Sequence, residues 1–387
     1  MRRCDGIRSL EDFTELARAV LPRPIFGYIS GGADDGCCLL NNRAAFERFA
    51  FVTRVLRDVT GRSTRKAVLG LQFDCPFGIA PMGISSLFSY RGDLVLARAA
   101  RDARVPMIAS GASLVPIEEI AAENPDCWCQ AYLGGDAAGV DDALQRIERA
   151  GIRTLVITVD VPAPSNREHE VRAGFSSPLR PGVRLAWDFM VKPRWLLGVM
   201  AQTLIKDGLP AFENVAVDTR IPIISRTASR DIGRRGRLTW ADLRRIRERW
   251  RGALVIKGIL HAEDARMARE HGANGIIVSN HGGRQLDAAV APLLLIPEIK
   301  AVSGAMTVMI DSGFRRGTDV LKALALGADF VFLGRPFAFA VAARGEAGVR
   351  HAIELLRREI DADLAMLGQV SVDTLDPSCL RRTDVPA

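Results

Sequence analysis

Three observations predict an α/β fold for this 387-residue chain, a closed (β/α)8 TIM barrel with an N-terminal helical segment and a long insertion after strand 4. Short apolar runs recur along the sequence and are continuous rather than alternating, the pattern of parallel strands buried on both faces. Most neighbouring runs are separated by a helical pattern. Asp160, Lys257 and Asp311 each stand at the end of a run, and an inward ring of strand-end polar groups is how a barrel builds a site at its C-terminal face. That ring weighs against the alternative, a doubly wound open sheet.

The elements follow in order. Phe77–Ala80 leads through Pro81-Met82-Gly83 to a helix around Asp93–Asp102, and Val105–Ala109 ends at Ser110-Gly111 before a helix around Pro116–Ala122. Cys127–Tyr132 precedes a helix over Asp141–Ala150, and Thr154–Asp160 is the fourth run. Leu254–Lys257 precedes a helix that begins near Ala262, and Gly275–Val278 is the sixth run. Thr307–Asp311 precedes a helix over Gly317–Leu326, and Phe330–Leu333 ends at Gly334-Arg335-Pro336. Before the first run, helices are expected near Leu10–Val20 and at Asn41–Phe49. The expectation is one domain over residues 1–387, its barrel at about 76–345 and an insertion at about 175–235. The insertion is too long for an ordinary loop. Its apolar, aromatic centre, Leu185–Met200, suits a lid, an interfacial membrane contact or a packed surface helix. The tail after Leu367 is read as packing on a neighbour or hanging free.

Composition narrows the function. Hydrophobic residues make up 48% and charged residues 25%, as in soluble globular proteins, and no apolar run is long enough to span a membrane. The N-terminal stretch Met1–Asp5 lacks the apolar core of a secretory signal, so a cytoplasmic location is expected. Seven cysteines without zinc-site or redox spacing read as reduced thiols, and no metal site is expected. The net charge of +7 asks for an anionic partner. No nucleic-acid-binding signature is present, and anionic substrates, a cofactor phosphate or anionic lipid headgroups account for the charge instead.

The chemistry concentrates in Ser279-Asn280-His281-Gly282-Gly283-Arg284-Gln285-Leu286-Asp287, directly after the sixth run. His281 can take a proton near neutral pH, and Arg284 can hold a carboxylate through two parallel hydrogen bonds. A polar turn with His281 capping the backbone is the bland alternative. Arg167 lies seven residues beyond Asp160; folded over the barrel mouth it would form a clamp with Arg284, and otherwise it would pair on the surface with Glu168 or Glu170. Asp160 could orient His281 or cap a helix. Lys257 would be a costly buried cation unless it faced an anion. Asp311-Ser312-Gly313-Phe314-Arg315 and Gly334-Arg335 end the last two runs, where such barrels hold phosphate.

With Ala80-Pro81-Met82-Gly83, Gln130-Ala131-Tyr132, Thr158-Val159-Asp160 and Val255-Ile256-Lys257-Gly258 in order, the chain resembles the FMN-dependent L-2-hydroxy-acid oxidising family of glycolate oxidase, L-lactate dehydrogenase and (S)-mandelate dehydrogenase. The resemblance implies FMN as cofactor and oxidation of a small L-2-hydroxy acid to a 2-oxo acid, with electrons passed to a quinone-type carrier or oxygen. It implies His281 as base, Asp160 as its partner, Arg167 and Arg284 on the substrate carboxylate, and Tyr132 and Tyr28 on substrate hydroxyl and carboxylate. Pro81, Met82, Gly83, Ser110, Gln130, Thr158, Lys257 and Ser279 would contact the flavin ring, with Lys257 stabilising its reduced form. Asp311, Gly313, Arg315, Gly334 and Arg335 would hold the ribityl chain and phosphate. Met82 and Gly83 stand where the family usually has Thr and Ala, Ser312 replaces a Gly, and Ala112 replaces a frequent aromatic residue; the small Gly83 and Ala112 imply room for a bulky side chain. Lys192-Pro193-Arg194-Trp195 resembles the dehydrogenases, which implies peripheral contact with the inner face of the cell membrane. A homotetramer is also implied. A flavin enzyme acting on a modified peptide or cofactor precursor, and a non-catalytic flavin-binding protein, are the rival readings.

Overall fold

The computed structural model describes residues 4–134, 137–214, 220–226 and 236–383. Met1–Arg3 and part of the expected insertion, 215–219 and 227–235, lie outside the described residues.

Eight parallel strands form one sheet: β1 Phe77–Ile79, β2 Ile108–Ser110, β3 Trp128–Ala131, β4 Thr154–Thr158, β5 Ala253–Ile259, β6 Gly275–Val278, β7 Thr307–Ile310 and β8 Phe330–Leu333. Each pairs with its sequence neighbour, and β8 pairs with β1 through Val331 opposite Phe77. A parallel bridge between Ile79 and Met107 completes the ring, Ile79 N donating to Pro106 O at 2.9 Å. This is the closed barrel, and it excludes the open sheet. The long insertion does not interrupt it: β4 and β5 pair residue for residue from Thr154 opposite Ala253 to Thr158 opposite Lys257.

The interior is filled by Ile108, Trp128, Val156, Val255, Ile277, Met309, Phe330 and Phe332. Side chains alternate along a strand, so residues two positions further on face inward one layer higher. On β2 to β7 that next layer is Ser110, Gln130, Thr158, Lys257, Ser279 and Asp311. An apolar plug with a polar lid follows directly from the period. The hairpin Lys66–Val68/Leu71–Phe73 closes the floor with Val68 and Phe73.

Three helices precede the barrel: α1 Asp12–Val20, α2 Arg23–Ser30 and α3 Cys37–Glu47. The α2 helix was not expected, although Pro24 in its first turn is a helix-start signal. α3 lies across the turn that follows β6. Asp287 caps it, accepting from Cys37 N and Cys38 N at 3.0 and 2.9 Å, and the side-chain amides of Asn42 and Asn280 bond each other both ways at 2.9 and 2.7 Å. The described part of the tail after Leu367, up to Thr383, packs on its own chain. Leu380–Arg382 pairs antiparallel with Phe49–Phe51 of the same chain, because that edge offers backbone donors and acceptors.

The insertion folds as helices. α4 Val183–Met190 leads into Pro193–Trp195, a π-helical turn Leu196–Ala201 and a short helix Gln202–Lys206. Trp195 is its anchor: fully buried, its ring tilted 50° against Phe189 with centres 4.7 Å apart, and donating from Nε1 to Leu87 O at 2.7 Å. Its other face leaves Val183, Trp187, Met190, Val191, Leu197 and Ile205 exposed. No helix among the described residues is long and apolar enough to cross a membrane.

Gly283 has φ +75°, and a Cβ there would lie 2.7 Å from Leu39 N, a backbone atom of α3. Gly283→Ala is therefore expected to destabilise the protein by about 2–3 kcal/mol, read as a lowered thermal unfolding midpoint. An unchanged midpoint would show that this close approach is unnecessary.

Candidate active site

The polar layer opens into a cavity of about 420 Å³ at the C-terminal face of the barrel. Lys257 is buried in it, with Nζ 2.9 Å from Asp311 Oδ2 and donating to Ser279 Oγ at 2.8 Å. Burial opposes its charge, but Asp311 and Asp160 outweigh that and hold the lysine above its ordinary value. The anion Lys257 was expected to need is thus Asp311 of this chain. Lys257 is also not the last residue of its strand. β5 continues to Ile259 with a register shift after Lys257, and Gly258 (φ +109°) leaves no room for a side chain, its would-be Cβ lying 2.6 Å from Asp160 Cβ.

His281 follows β6 with φ +58°, a conformation uncommon outside glycine, and it begins a left-handed stretch with Gly282 and Gly283. Hydrogen bonds hold the stretch: His281 N donates to Ser279 Oγ, Gly282 N to Ser312 Oγ and Gly283 N to Asn280 Oδ1, at 3.0, 3.0 and 3.1 Å. This points the ring into the cavity, with Nδ1 2.9 Å from Asp160 Oδ1. Burial disfavours the Asp160 carboxylate, yet its interaction with His281, including the hydrogen bond the ring donates, and the Lys257 charge hold its pKa below the ordinary value. An ionised carboxylate only accepts, so Nδ1 carries the hydrogen and Nε2 keeps its lone pair. Burial lowers the His281 pKa below 6.5, with Asp160 opposing. The result is a neutral imidazole, oriented and poised as a proton acceptor.

Arg167 is not a surface residue. Its guanidinium folds over the mouth, Nε donating to Ser165 Oγ and Arg284 O at 2.9 and 3.1 Å and Nη2 to Gln285 Oε1 at 2.7 Å. Arg284 donates to Tyr28 O at 2.5 Å and to Glu170 Oε1 at 2.6 Å, and lies 4.6 Å from the centre of the Tyr28 ring. The two cations therefore stand side by side at one wall of the cavity. Burial, then the Arg284 charge, lower the Arg167 pKa, with Glu170 opposing.

The far end of the cavity suits a flavin nucleotide. Gln130 Oε1 accepts from Gly111 N at 3.1 Å and from Ser110 Oγ at 3.4 Å, which orients its amide. Gln130 Nε2 and Thr158 Oγ1 are buried beside the cavity with no partner among the described residues, a donor and a donor-acceptor matched to a heteroaromatic ring edge. Deeper along lie the part-buried Arg315 and Arg335, and loss of solvent followed by neighbouring cations pushes Arg335 well below its ordinary value. Such crowding of cations suits a phosphate. All three Arg335 nitrogens also brace backbone, donating to Ile29, Gly282 and Gly31 carbonyls at 3.0, 2.8 and 2.7 Å.

Of the expected site residues, Tyr28, Pro81, Met82, Gly83, Ser110, Gln130, Tyr132, Thr158, Arg167, Lys257, His281, Arg284, Asp311, Gly313, Arg315, Gly334 and Arg335 all line this cavity. Asp160 stands behind His281, and Ser279 is turned to Lys257 and the His281 amide rather than to the cavity. Glu170 and Gln285 were not anticipated as site residues. Glu170 lies one helical turn after Arg167, a spacing that signals pairing. Gln285 ties the two loops together, its Nε2 donating to Asp160 O at 3.1 Å.

The His281 imidazole is expected to titrate below 6.5, so the neutral base persists at neutral pH and is lost only as pH falls through the lowered value. Asp160→Asn removes a charge that raises this pKa and should move the midpoint lower still. Nitrogen NMR of the labelled ring measures both; a wild-type midpoint above the ordinary value, or an upward shift in the variant, would contradict the arrangement.

Comparison with known proteins agrees with this geometry. The family model described as FMN-dependent dehydrogenase matches residues 17–382. The (S)-mandelate dehydrogenase of Pseudomonas putida is 36% identical over 378 residues, covering 97% of this chain and 94% of its own, and the L-lactate dehydrogenase of Caulobacter sp. (strain K31) is 37% identical over 384 residues, covering 98% and 99%. A crystal structure of (S)-mandelate dehydrogenase, described as a monotopic membrane protein, superposes with a TM-score of 0.89 at 35% identity, covering 98% of this chain and 100% of its own. A mandelate oxidase structure gives 0.82 at 36% identity, covering 98% and 100%. The chain belongs to the FMN-dependent dehydrogenase family.

Proposed function

We propose that this chain is an FMN-dependent enzyme that oxidises an L-2-hydroxy acid to the 2-oxo acid, with His281 as the base. The observation that carries the reading is the oriented His281–Asp160 pair on the same cavity as the paired guanidiniums of Arg167 and Arg284. A 2-hydroxy acid has its hydroxyl one carbon from its carboxylate. Arg167 and Arg284 bind the carboxylate and so place the hydroxyl carbon beside His281. Tyr28 and Tyr132 supply phenolic groups at the same wall. His281 Nε2 takes the proton, and Asp160 stabilises the imidazolium that results.

Bound FMN supplies the two-electron acceptor for this oxidation. Its ring is held by Pro81, Met82, Gly83, Ser110, Gln130, Thr158 and Lys257, with Ser279 acting through Lys257. Gly313, Arg315, Gly334 and Arg335 hold the phosphate end beside Asp311, and Lys257 keeps a fixed positive charge next to the ring. One domain over residues 1–387 carries the activity, and the proposed assembly is a homotetramer.

The substrate side chain faces Tyr28, Gly83, Phe88, Ala112, Val161 and Phe175. A Cβ on Gly83 would lie 3.0 Å from Ala112 Cβ and 3.1 Å from Tyr28 Oη, so both small residues are needed to keep this compartment open. It suits a side chain larger than methyl, such as an aryl group. The exposed ridge of Trp187, Met190, Leu197 and Ile205 beside Arg184, Arg194 and Lys206 supports peripheral contact with the inner face of the cell membrane and a quinone-type carrier as acceptor.

Anaerobic addition of (S)-mandelate should bleach the flavin of the purified holoprotein more efficiently than L-lactate. His281→Gln should retain FMN and lose about 10²–10⁴ in reduction rate; bleaching at the wild-type rate would remove His281 as base. Ala112→Leu should lower reduction by (S)-mandelate about tenfold or more while sparing L-lactate, and an equal loss on both would reject the side-chain compartment.

A further inference from the structure

We infer that Glu170 is a positioning residue that sets the carboxylate clamp before substrate arrives. The inference deepens the proposed function and rests on its assignment of Arg167 and Arg284 to the substrate carboxylate. Glu170 is buried on the short helix Glu168–Ala173. One of its oxygens, Oε1, serves both cations: it accepts from Arg284 Nη2 at 2.6 Å and lies 3.5 Å from Arg167 Nη1.

Every other polar partner of the two guanidiniums among the described residues is neutral: the Tyr28, Gly31 and Arg284 carbonyls, the Ser165 hydroxyl and the Gln285 side chain. Among the described residues Glu170 is therefore the single anion inside the clamp. Two like charges held this close in a partly desolvated wall repel one another. A carboxylate oxygen shared between them cancels that repulsion and fixes the distance between the forks. The clamp then carries one net positive charge and still attracts an anion. Without Glu170 the clamp has more charge but less order. The incoming carboxylate must then immobilise two long side chains itself, and that ordering cost outweighs the stronger field. Glu170 touches neither His281 nor Asp160, so its effect falls on binding more than on proton transfer.

The test uses holoprotein of the wild type, Glu170→Gln and Glu170→Asp. Calorimetric titration with oxalate, and stopped-flow flavin reduction by (S)-mandelate and L-lactate, are measured with FMN content and the melting midpoint recorded alongside. Glu170→Gln should weaken oxalate binding and raise the substrate Kd by about tenfold, with the limiting reduction rate falling by less. Glu170→Asp keeps the charge and should recover most of the affinity. Unchanged or tighter oxalate binding in Glu170→Gln overturns the proposal, as does an Asp variant no better than the Gln variant. If neither hydroxy acid reduces the wild-type flavin, the functional reading fails, and oxalate affinity alone decides the role of Glu170.

Discussion

The ion pair between Lys257 and Asp311 is the constraint on which the rest of the site depends. A lysine with its ammonium in the centre of a barrel costs several kcal/mol in desolvation unless an anion and hydrogen bonds meet it. Here Asp311 meets it from β7 and Ser279 from β6. Three strands are thereby fixed to one another at their upper ends. The same Ser279 hydroxyl also accepts from the His281 amide, so the position of the base is referred directly to the buried pair. Replacing the pair by apolar side chains would suit a packed core equally well; its presence at a cavity is what the charged layer of the proposed cofactor site requires.

A second tier of contacts keeps His281 in its left-handed conformation, a strain of about 1–3 kcal/mol. The N-terminal helices supply much of it. Ala33 N donates to Gly283 O, Asp287 caps α3, and Asn42 locks Asn280. Arg284 and Arg335 reach back to carbonyls at the end of α2. The segment before the barrel is thus part of the site. It closes one side of the cavity and gives Arg284, proposed to bind the substrate carboxylate, a fixed back wall, an arrangement for orientation by rigid support.

The insertion is packed on one side, as one reading of its composition suggests, and apolar on the other. Trp195 and Phe189 secure it to the barrel, and Lys192 Nζ donates to the Arg18 and Ala19 carbonyls at the end of α1, both at 3.0 Å. The opposite face presents aromatic and aliphatic side chains to solvent. An element packed on one side and apolar on the other has an unsatisfied surface, which is the physical basis for the proposed interfacial contact.

The sequence by itself determined the barrel, because doubly buried parallel strands need unbroken apolar runs and little else in the chain competes for that pattern. It also singled out the Ser279–Asp287 turn, where His281, two glycines and Arg284 stand together directly after a buried strand. Periodicity could not assign inward and outward faces, since strands apolar on both sides carry no alternation to read; strand-end polarity and the family resemblance single out Ser110, Gln130, Thr158, Lys257, Ser279 and Asp311, but that they form one layer emerged only with strand register. Helix α2 is not legible in the sequence because its eight residues include Gly27 and are too few to display a period, although Pro24 marks its start. Closure of the barrel alone decided that Asp160 meets His281 from 121 residues away, that Arg167 turns inward, and that Glu170 becomes the anion between two arginines. Those contacts join loops from different strands, and local spacing holds no information about which loops a closed ring will bring together.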